Sequence, residues 1–271
     1  MSTIFEWDSK DLEQRIKACE TNPSTPYMFK YMPKGEWILE AGCGMGQFVK
    51  FLSDRGYKIK GIEINDDAVK TANKAFPNLE IISGDVSSLP YPNESFGGVL
   101  SLGVVEHFIE GPVQALKEMY RIMKPGAVAL ICVPQFNKLR LIKHTLGLDF
   151  ADYYLRKVYY KLKGIKVAEI RHSKDVKREY LYHRWPVVGE FYEYRFKKQE
   201  FDKLLAEAGF QTIVQAPLDS VGGLYHELGG LIVSLKNLEH PGSILKFVDK
   251  LLSKIPYFHN HMYICIIKKP L

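Results

Sequence analysis

The sequence lacks the marks of a secreted, membrane-spanning or zinc-bound protein. Its cysteines, Cys19, Cys43, Cys132 and Cys265, are far apart and form no C-x-x-C pair, which predicts free thiols and no metal site. No run of about eighteen apolar residues is present, so we expect no transmembrane segment. The first ten residues contain two acidic side chains and lack the apolar stretch of a secretory signal. These absences together predict a cytoplasmic protein.

Charge is unevenly distributed along the chain. The 271 residues carry a net charge of +6, and 46% are hydrophobic, which is ordinary for a globular protein with a sizeable core. Residues 136–200 contain 16 basic and 8 acidic side chains, so the rest of the chain is slightly acidic. The basic character therefore belongs to one segment, and it indicates a local interaction surface.

The fingerprint of a dinucleotide-binding turn is also missing, although a glycine turn is present. A short apolar strand leads into Gly42, Gly44 and Gly46, and a helix with apolar residues at helical spacing follows. The pattern G-x-G-x-x-G would need a glycine where Gln47 stands. Glu40, just before the first glycine, would repel a diphosphate. A cofactor with a cationic centre and no phosphate would tolerate that carboxylate.

This pattern resembles the first motif of the class I S-adenosylmethionine-dependent methyltransferases. The resemblance implies an α/β fold. It has a Rossmann-like, seven-stranded, mostly parallel sheet with helices on both faces, an antiparallel last strand, and insertions that form a lid. It also implies S-adenosylmethionine as the cofactor. The residues of the motif that would contact it are Glu40, Gly42, Cys43, Gly44, Gly46 and Gln47.

Further cofactor contacts follow at the ends of the next strands. Glu63 lies twenty-one residues after Gly42, where an acidic residue hydrogen-bonds ribose hydroxyls. Asp85 follows the third strand, and the resemblance implies that it accepts a bond from the adenine amino group. A purely local turn role for Asp85 is also open. The remaining residues implied at the cofactor are Ile64, Val86, Ser101 and Leu102.

Residues 89–108 resemble the small-molecule subgroup that includes the quinone-biosynthesis methyltransferases. The sequence departs from that pattern at Gly97, where the subgroup usually has aspartate. His107 is the candidate catalytic residue, because a histidine can take up a proton near neutral pH. A structural role for His107 is the favoured alternative, because many members of the subgroup carry a histidine here without needing it as a base. Alignment of the reacting atoms alone can supply most of the acceleration in methyl transfer.

The predicted domain organisation is a methyltransferase core with additions. Ligands of open α/β sheets bind beyond the carboxyl ends of the strands, so the additions are expected to select the acceptor. Aromatic and arginine side chains there suit a ring-bearing or anionic ligand, and the substrate candidates are Tyr182, Arg184 and Tyr194. The predicted parts are a helical extension (1–35), the core (36–134 and 197–271, with a helical insertion at 218–258) and a substrate-side insertion (135–196).

Two local expectations concern helix boundaries. The composition of residues 22–26, Asn-Pro-Ser-Thr-Pro, predicts a loop. Apolar residues at helical spacing run through 221–238, although Gly222 and Gly223 are each costly inside a helix. Either the helix is broken at these glycines, or another part of the chain approaches it closely.

The sequence therefore predicts a methyltransferase that moves a methyl group to an oxygen, nitrogen or carbon atom of a small or medium-sized metabolite. RNA is an alternative acceptor because residues 135–196 are basic and rich in tyrosine. A lipid-like acceptor is another, because the 221–238 stretch is apolar. A nicotinamide-dependent oxidoreductase is the alternative from another class, and it would need the missing glycine fingerprint. A protein that binds the cofactor without catalysis also remains open.

Overall fold

The computed structural model describes residues 12–148, 158, 161–162, 170–172, 179–185, 189–228 and 243–271. The chain divides into two compact units, which we call the core unit and the insertion unit. The core unit comprises Met1–Val133, Gln199–Ala216 and Ile264–Leu271, and the insertion unit comprises Pro134–Lys198 and Pro217–Tyr263. The two segments predicted as separate insertions, 135–196 and 218–258, thus lie in one unit.

Strands and helices largely alternate from residue 37 to residue 134, and three successive strands interrupt this alternation in the segment that follows. The strands are β1 (Trp37–Ala41), β2 (Lys58–Glu63), β3 (Ile81–Ser83), β4 (Phe96–Leu102), β5 (Met123–Pro134), β6 (Ile170–His172), β7 (Glu179–Trp185), β8 (Gly189–Arg195), β9 (Gln211–Leu218) and β10 (Met262–Lys268). The helices are α1 (Leu12–Thr21), α2 (Thr25–Tyr31), α3 (Gln47–Ser53), α4 (Asp66–Ala75), α5 (Val113–Ile122), α6 (Lys138–Thr145), α7 (Lys198–Glu207), α8 (Ser220–Leu228) and α9 (Ser243–Leu252).

The core unit is built on a seven-stranded sheet with the strand order β3-β2-β1-β4-β5-β10-β9. Pairing is parallel from β3 through β5. Lys269 exchanges backbone hydrogen bonds of 3.0 Å with Gly126 and Ala127, as an antiparallel pair does, so β10 runs against β5. Helices surround the sheet, and its central strands are mostly buried and apolar, apart from the exposed start of β1 and the exposed Pro125 and Gly126 of β5. The predicted fold class is confirmed.

The predicted loop at 22–26 is wrong in its second half, because α2 begins at Thr25. Pro26 lies in the first turn of this helix, where its missing N–H would have no intrahelical partner anyway. The turn itself is confined to Asn22–Ser24, where the Asn22 side chain accepts a 2.9 Å bond from the Ser24 amide. The Thr25 hydroxyl donates to the Cys19 carbonyl at 2.6 Å and ties α2 to α1.

Strand β5 begins at Met123 and includes Pro125 and Gly126. Proline and glycine at positions 125 and 126 weaken a strand pattern, so these residues look like a simple helix stop. In the structure α5 ends at Ile122, and Met123 already pairs with Phe96 of β4. Gly126 adopts a φ of +78° and remains in the strand.

Within the insertion unit, β6, β7 and β8 form an antiparallel sheet in that order. The sequence of 135–196 shows no regular rhythm, so this sheet was not predicted. Its register places Tyr182 opposite Arg171 on one side and Tyr192 on the other, and Arg184 opposite Glu190. The β7–β8 pair is thus a long hairpin that spans the tyrosine-rich part of the segment.

The glycines of α8 have close neighbours, and the helix continues through them. A Cβ on Gly223 would lie 1.6 Å from the carbonyl oxygen of His259, and one on Gly222 would lie 2.0 Å from the Asp219 carboxylate. Close approach by another part of the chain, the second of the two expectations, therefore accounts for Gly223, whereas Gly222 lies against the carboxylate of Asp219 just before the helix. The rest of the predicted helical stretch, 229–238, lies outside the described residues.

Within the described part of the chain, no helix is long and apolar enough to cross a membrane. The same residues contain no group of three histidine, cysteine or acidic side chains that could hold a metal ion. None of the four cysteines forms a disulfide, and all four are buried.

Candidate cofactor site

The glycine turn between β1 and α3 depends on glycine for both conformation and space. Gly42 and Gly46 have φ angles of +82° and +76°. A Cβ on Gly42 would lie 2.4 Å from the Val104 side chain, and one on Gly46 would lie 2.4 Å from Ile81. The amides of Gly42 and Cys43 both donate to the carbonyl of Ile62, at 2.8 and 3.0 Å. The turn is thereby fixed against the carboxyl end of β2.

Glu63 is tied directly to this turn. Its Oε2 accepts a 2.9 Å bond from the Gly44 amide, and its Oε1 accepts a 3.0 Å bond from the Asn65 amide. Each carboxylate oxygen can accept a second hydrogen bond, so the side chain is oriented and still able to bind a ligand. The sequence indicated a ribose contact for Glu63 and gave no sign that the same carboxylate braces the turn.

Glu40, near the carboxyl end of β1, is the most unusual residue beside the turn. It is 2% exposed, and its Oε2 is buried with no hydrogen-bond partner. Burial raises the pKa of this carboxyl well above its usual range. A hydrogen bond from the Val49 amide opposes that shift, and the charge of Glu63 adds to it. A buried carboxylate oxygen without a partner is costly unless a ligand supplies one.

Two more predicted residues share this property. The Oε1 of Gln47 and the Oγ of Ser101 are buried with no hydrogen-bond partner, and Ser101 is completely inaccessible. Gln47 begins α3 directly after the glycine turn, and Ser101 lies near the carboxyl end of the adjacent strand β4. Unpaired polar atoms of this kind are uncommon in native proteins and mark places where a ligand or water binds.

Asp85 occupies a local turn after β3. Its Oδ1 accepts a 2.8 Å bond from the Ser87 amide, and its carbonyl accepts a 3.0 Å bond from Ser88. The Gly84 amide donates to the carbonyl of Glu63 at 2.9 Å, which holds the start of this turn beside the end of β2. Asp85 therefore has the turn-stabilising role that the sequence left open. The proposed contact with adenine would use its other carboxylate oxygen, Oδ2.

The other predicted cofactor residues take up positions around the same strand ends. Cys43 packs against β2, because a Cβ on Gly61 would lie 2.6 Å from its Sγ. Burial, followed by the charges of Glu40 and Glu63, raises the pKa of the Cys43 thiol well above its usual range, so the thiol is not a nucleophile. Val86 is buried, while Ile64 and Leu102 are half-buried.

Helix α1 packs on the glycine turn. Leu12 and Ile16 of this helix form a hydrophobic cluster with Met45 of the turn and with Ala68 and Phe76. Burial, then the charge of Glu40, raises the pKa of the Cys19 thiol to about 12. The extension predicted from the sequence is thus in contact with the turn that carries the unpaired carboxylate.

His107 lies in a short 3₁₀ turn, Val105–His107, after β4. It is 7% exposed, and its Nε2 lies 3.8 Å from the Oε1 of Glu106, which is also buried. The His107 amide donates to the Val104 carbonyl at 3.1 Å. The structure therefore gives His107 a carboxylate neighbour and little solvent contact, which fits either a positioning role or a structural one.

The substrate candidates lie in the insertion unit. Tyr182 and Arg184 are on β7, and the structure describes their backbone alone. Tyr194 is buried, and its ring lies 5.9 Å from that of Phe196. Tyr194 is therefore at least partly a packing residue.

Comparison with known proteins identifies the part of the chain that carries this site. Residues 39–131 match the family described as the Methyltransferase domain. A protein of Mycolicibacterium smegmatis, named "Probable S-adenosylmethionine-dependent methyltransferase", is 30% identical over 100 residues, which cover 37% of this chain and 38% of that protein. The demethylmenaquinone methyltransferase of Chlorobaculum tepidum is 26% identical over 182 residues, covering 67% of this chain and 68% of that protein.

The fold has solved counterparts. A SAM-dependent methyltransferase structure from Methanosarcina mazei superposes with a TM-score of 0.57 at 19% identity, covering 91% of this chain and 98% of that chain. The sheet and the glycine turn are those of an α/β nucleotide-binding fold. The domain match narrows this class to the methyltransferases. Residues 39–131 therefore carry a methyltransferase domain, and the chain is similar to S-adenosylmethionine-dependent methyltransferases, a family whose cofactor is S-adenosylmethionine.

Proposed function

We propose that this chain transfers the methyl group of S-adenosylmethionine to an oxygen, nitrogen or carbon atom of a small or medium-sized metabolite. The observation that carries the proposal is the buried, unpaired Oε2 of Glu40 beside the glycine turn. A dinucleotide would bring phosphates to this position and be repelled. A ligand with a cationic centre supplies the partner that the carboxylate lacks.

The residues of the turn can be given roles on this basis. When bound, the cofactor supplies an activated methyl group on a sulfonium centre. Glu63, already oriented by the Gly44 and Asn65 amides, accepts the ribose hydroxyls. Glu40 accepts from the cationic part, and Asp85 accepts from the adenine amino group. The remaining cofactor contacts are assigned to the glycine turn (Gly42, Cys43, Gly44, Gly46 and Gln47) and to Ile64, Val86, Ser101 and Leu102.

His107 is assigned to the acceptor, and we propose that it holds or removes the proton of the attacking group. Its Nε2 lies 3.8 Å from the Oε1 of its buried neighbour Glu106, which can orient the ring. His107→Asn keeps the size and polarity of the side chain. A catalytic proton acceptor predicts a large loss of kcat and a changed pH profile in this variant, whereas a structural role predicts lower stability with an unchanged profile.

The acceptor is proposed to be a ring-bearing metabolite. The support comes from the relatives whose names specify demethylmenaquinone and from the tyrosine-rich β7–β8 hairpin. Tyr182, Arg184 and Tyr194 are the candidate acceptor residues. The absence of a disulfide at any of the four cysteines supports a reducing cytoplasm as the location of the protein.

Ligand-induced thermal stabilisation tests the proposed function. S-adenosylhomocysteine at 100 times its Kd should stabilise the protein by about 2.7 kcal/mol, which corresponds to a rise in Tm of about 5–10 °C. NAD at the same concentration serves as the control and should leave Tm unchanged. A shift with NAD and none with S-adenosylhomocysteine would contradict the proposal. Release of S-adenosylhomocysteine in the presence of candidate quinone precursors then tests the transfer itself.

A further inference from the structure

Helix α9 and the turn that follows it carry an apolar stripe that faces water. Phe247, Leu251 and Ile255 are 68%, 51% and 45% exposed, and they recur at intervals of four residues. Phe247 and Leu251 are four residues apart in α9 and lie on the same side, and Ile255 follows in the turn after the helix, so we call these three side chains the apolar stripe. Exposed apolar side chains are common singly, whereas an aligned set indicates a surface that contacts a partner.

A second stripe, of lysines, runs beside the first. Lys246, Lys250 and Lys254 each directly precede one of the apolar residues, and all three are exposed. Among the described residues, none of the three forms an ion pair with a carboxylate. We call these six residues, Lys246, Phe247, Lys250, Leu251, Lys254 and Ile255, the α9 surface. It combines positive charge and apolar side chains on one side of a helix.

The opposite side of α9 is fixed to the rest of the insertion unit. Asp249 accepts a 3.1 Å bond from the Ser220 hydroxyl and makes a 2.9 Å bond with Nε2 of the fully buried His259. These contacts hold the helix in one rotation about its axis. The stripe therefore cannot turn inward without breaking a buried carboxylate–histidine contact, so its exposure is built into the fold.

Helix α6 of the same unit adds further exposed apolar side chains. Leu141 and Ile142 are both 45% exposed, and Leu146, just after the helix, is 66% exposed. The Leu139 amide of α6 donates a 2.8 Å bond to the carbonyl of Phe258, a few residues beyond α9. Exposed apolar side chains are therefore also present on a second helix of this unit, one that is hydrogen-bonded to the segment after α9.

We propose that the α9 surface docks the protein on an anionic phospholipid membrane. A basic amphipathic helix with apolar residues on its outer side lies in the plane of a bilayer interface. Its lysines attract acidic headgroups, and its apolar side chains enter the acyl boundary. Leu251 and Ile255 have no ring to stack on bases, which makes RNA a poorer match because its single strands are bound through aromatic stacking and phosphate contacts. This inference goes beyond the proposed function and does not depend on it.

Flotation of the full-length protein with lipid vesicles tests the proposal. The protein should bind vesicles that contain phosphatidylglycerol and should bind pure phosphatidylcholine vesicles much more weakly. Lys246→Glu/Lys250→Glu should reduce the partition coefficient at least about twentyfold, since each lysine near an anionic surface contributes about a factor of five. Phe247→Gln/Leu251→Gln, which preserves helix propensity, should reduce binding to both kinds of vesicle.

Matched controls come from exposed positions of the core unit. Lys117→Glu/Lys203→Glu makes the same charge change, and Ile109→Gln/Ile213→Gln removes exposed apolar side chains, so both variants should bind as the wild type does. Far-UV circular dichroism and an unchanged thermal shift with S-adenosylhomocysteine confirm that each variant is folded. The proposal is overturned if the α9 variants float with anionic vesicles as the wild type does. It is also overturned if the wild-type protein does not bind anionic vesicles and instead binds single-stranded RNA through the same lysines.

Discussion

The two units of this protein each bury a glutamate almost completely, and they surround it differently. Glu40 in the core unit and Glu227 in the insertion unit are 2% and 3% exposed. Glu227 accepts bonds from the side chains of Arg140 and Asn137, at 2.7 and 3.1 Å, and Lys143 Nζ lies 3.5 Å from its other oxygen. The Oε2 atoms of both glutamates accept no hydrogen bond, but Glu227 is paired with two cationic side chains, whereas the charged neighbour of Glu40 is the carboxylate of Glu63. Burial alone therefore does not mark a binding site, whereas a buried carboxylate that lacks a cationic partner among the described residues does.

The largest effect that this contrast predicts is on the folding of the insertion unit. Arg140→Met should lower the free energy of unfolding by about 3–5 kcal/mol, because it leaves the Glu227 carboxylate buried without its main partner. The affinity for S-adenosylhomocysteine should change little, since the cofactor residues belong to the core unit. Urea denaturation and isothermal titration calorimetry measure the two quantities separately.

The double variant Arg140→Met/Glu227→Leu provides the matching control. Removing both charges should recover most of the lost stability, because a buried ion pair and an apolar pair of similar volume have comparable free energies. If Arg140→Met alone unfolds at the same urea concentration as the wild type, the Arg140–Glu227 pair does not stabilise the fold. The proposed difference between the buried glutamates of the two units would then be wrong.

The second prediction concerns the core unit. Glu63→Ala should weaken S-adenosylhomocysteine binding by about 1.5–3 kcal/mol, or ten- to hundredfold, which is the range for a hydrogen bond to a charged group. Glu80→Ala is the control, because that carboxylate is half exposed and forms a surface pair with Lys60. Equal calorimetric affinities of Glu63→Ala and wild type would remove the ribose assignment.

The third prediction returns to the insertion unit. Gly223→Ala should cost about 1–3 kcal/mol of stability, since the new Cβ would need to displace the His259 carbonyl, now only 1.6 Å from its position. Gly35→Ala is the matched control, because no atom lies within 4 Å of its Cβ position. Thermal denaturation of both variants checks the prediction, and equal Tm values would show that α8 can shift freely.

The sequence predicted the core unit well because its signals are local. The strand from Trp37 to Ala41, the glycine turn and the helix from Gln47 are each encoded by neighbouring residues, and the structure reproduces them closely. The antiparallel last strand came from family resemblance. The β7–β8 hairpin was not predicted, because its tyrosines and charged residues do not follow a clear alternation of apolar and polar positions.

The site was predictable in its residue types and not in its contacts. The bonds from Gly44 and Asn65 to Glu63 depend on two strands lying side by side. The Arg140–Glu227 pair joins residues 87 positions apart, so no local pattern can reveal it. Likewise, the unpaired oxygen of Glu40 is defined by what surrounds it in space.

The last and smallest effect tests whether that unpaired oxygen is held for the ligand. The pKa of Glu40 is raised in the folded protein, so between the ordinary glutamate pKa and this raised value the folded state binds more protons than the unfolded state. The wild type should therefore lose stability as pH rises through this interval, and a neutral Glu40→Gln variant should not. At neutral pH the ligand-free variant should thus be more stable than the wild type, and the difference should disappear in acid.

The Glu40→Gln substitution should also weaken ligand binding. The affinity of the variant for S-adenosylmethionine, which carries both a sulfonium and an ammonium group, should fall more than its affinity for S-adenosylhomocysteine, which lacks the sulfonium. Calorimetry across pH, with and without each ligand, measures both effects. A variant that is less stable at neutral pH and binds both ligands normally would mean that the buried charge of Glu40 serves the fold and not the cofactor.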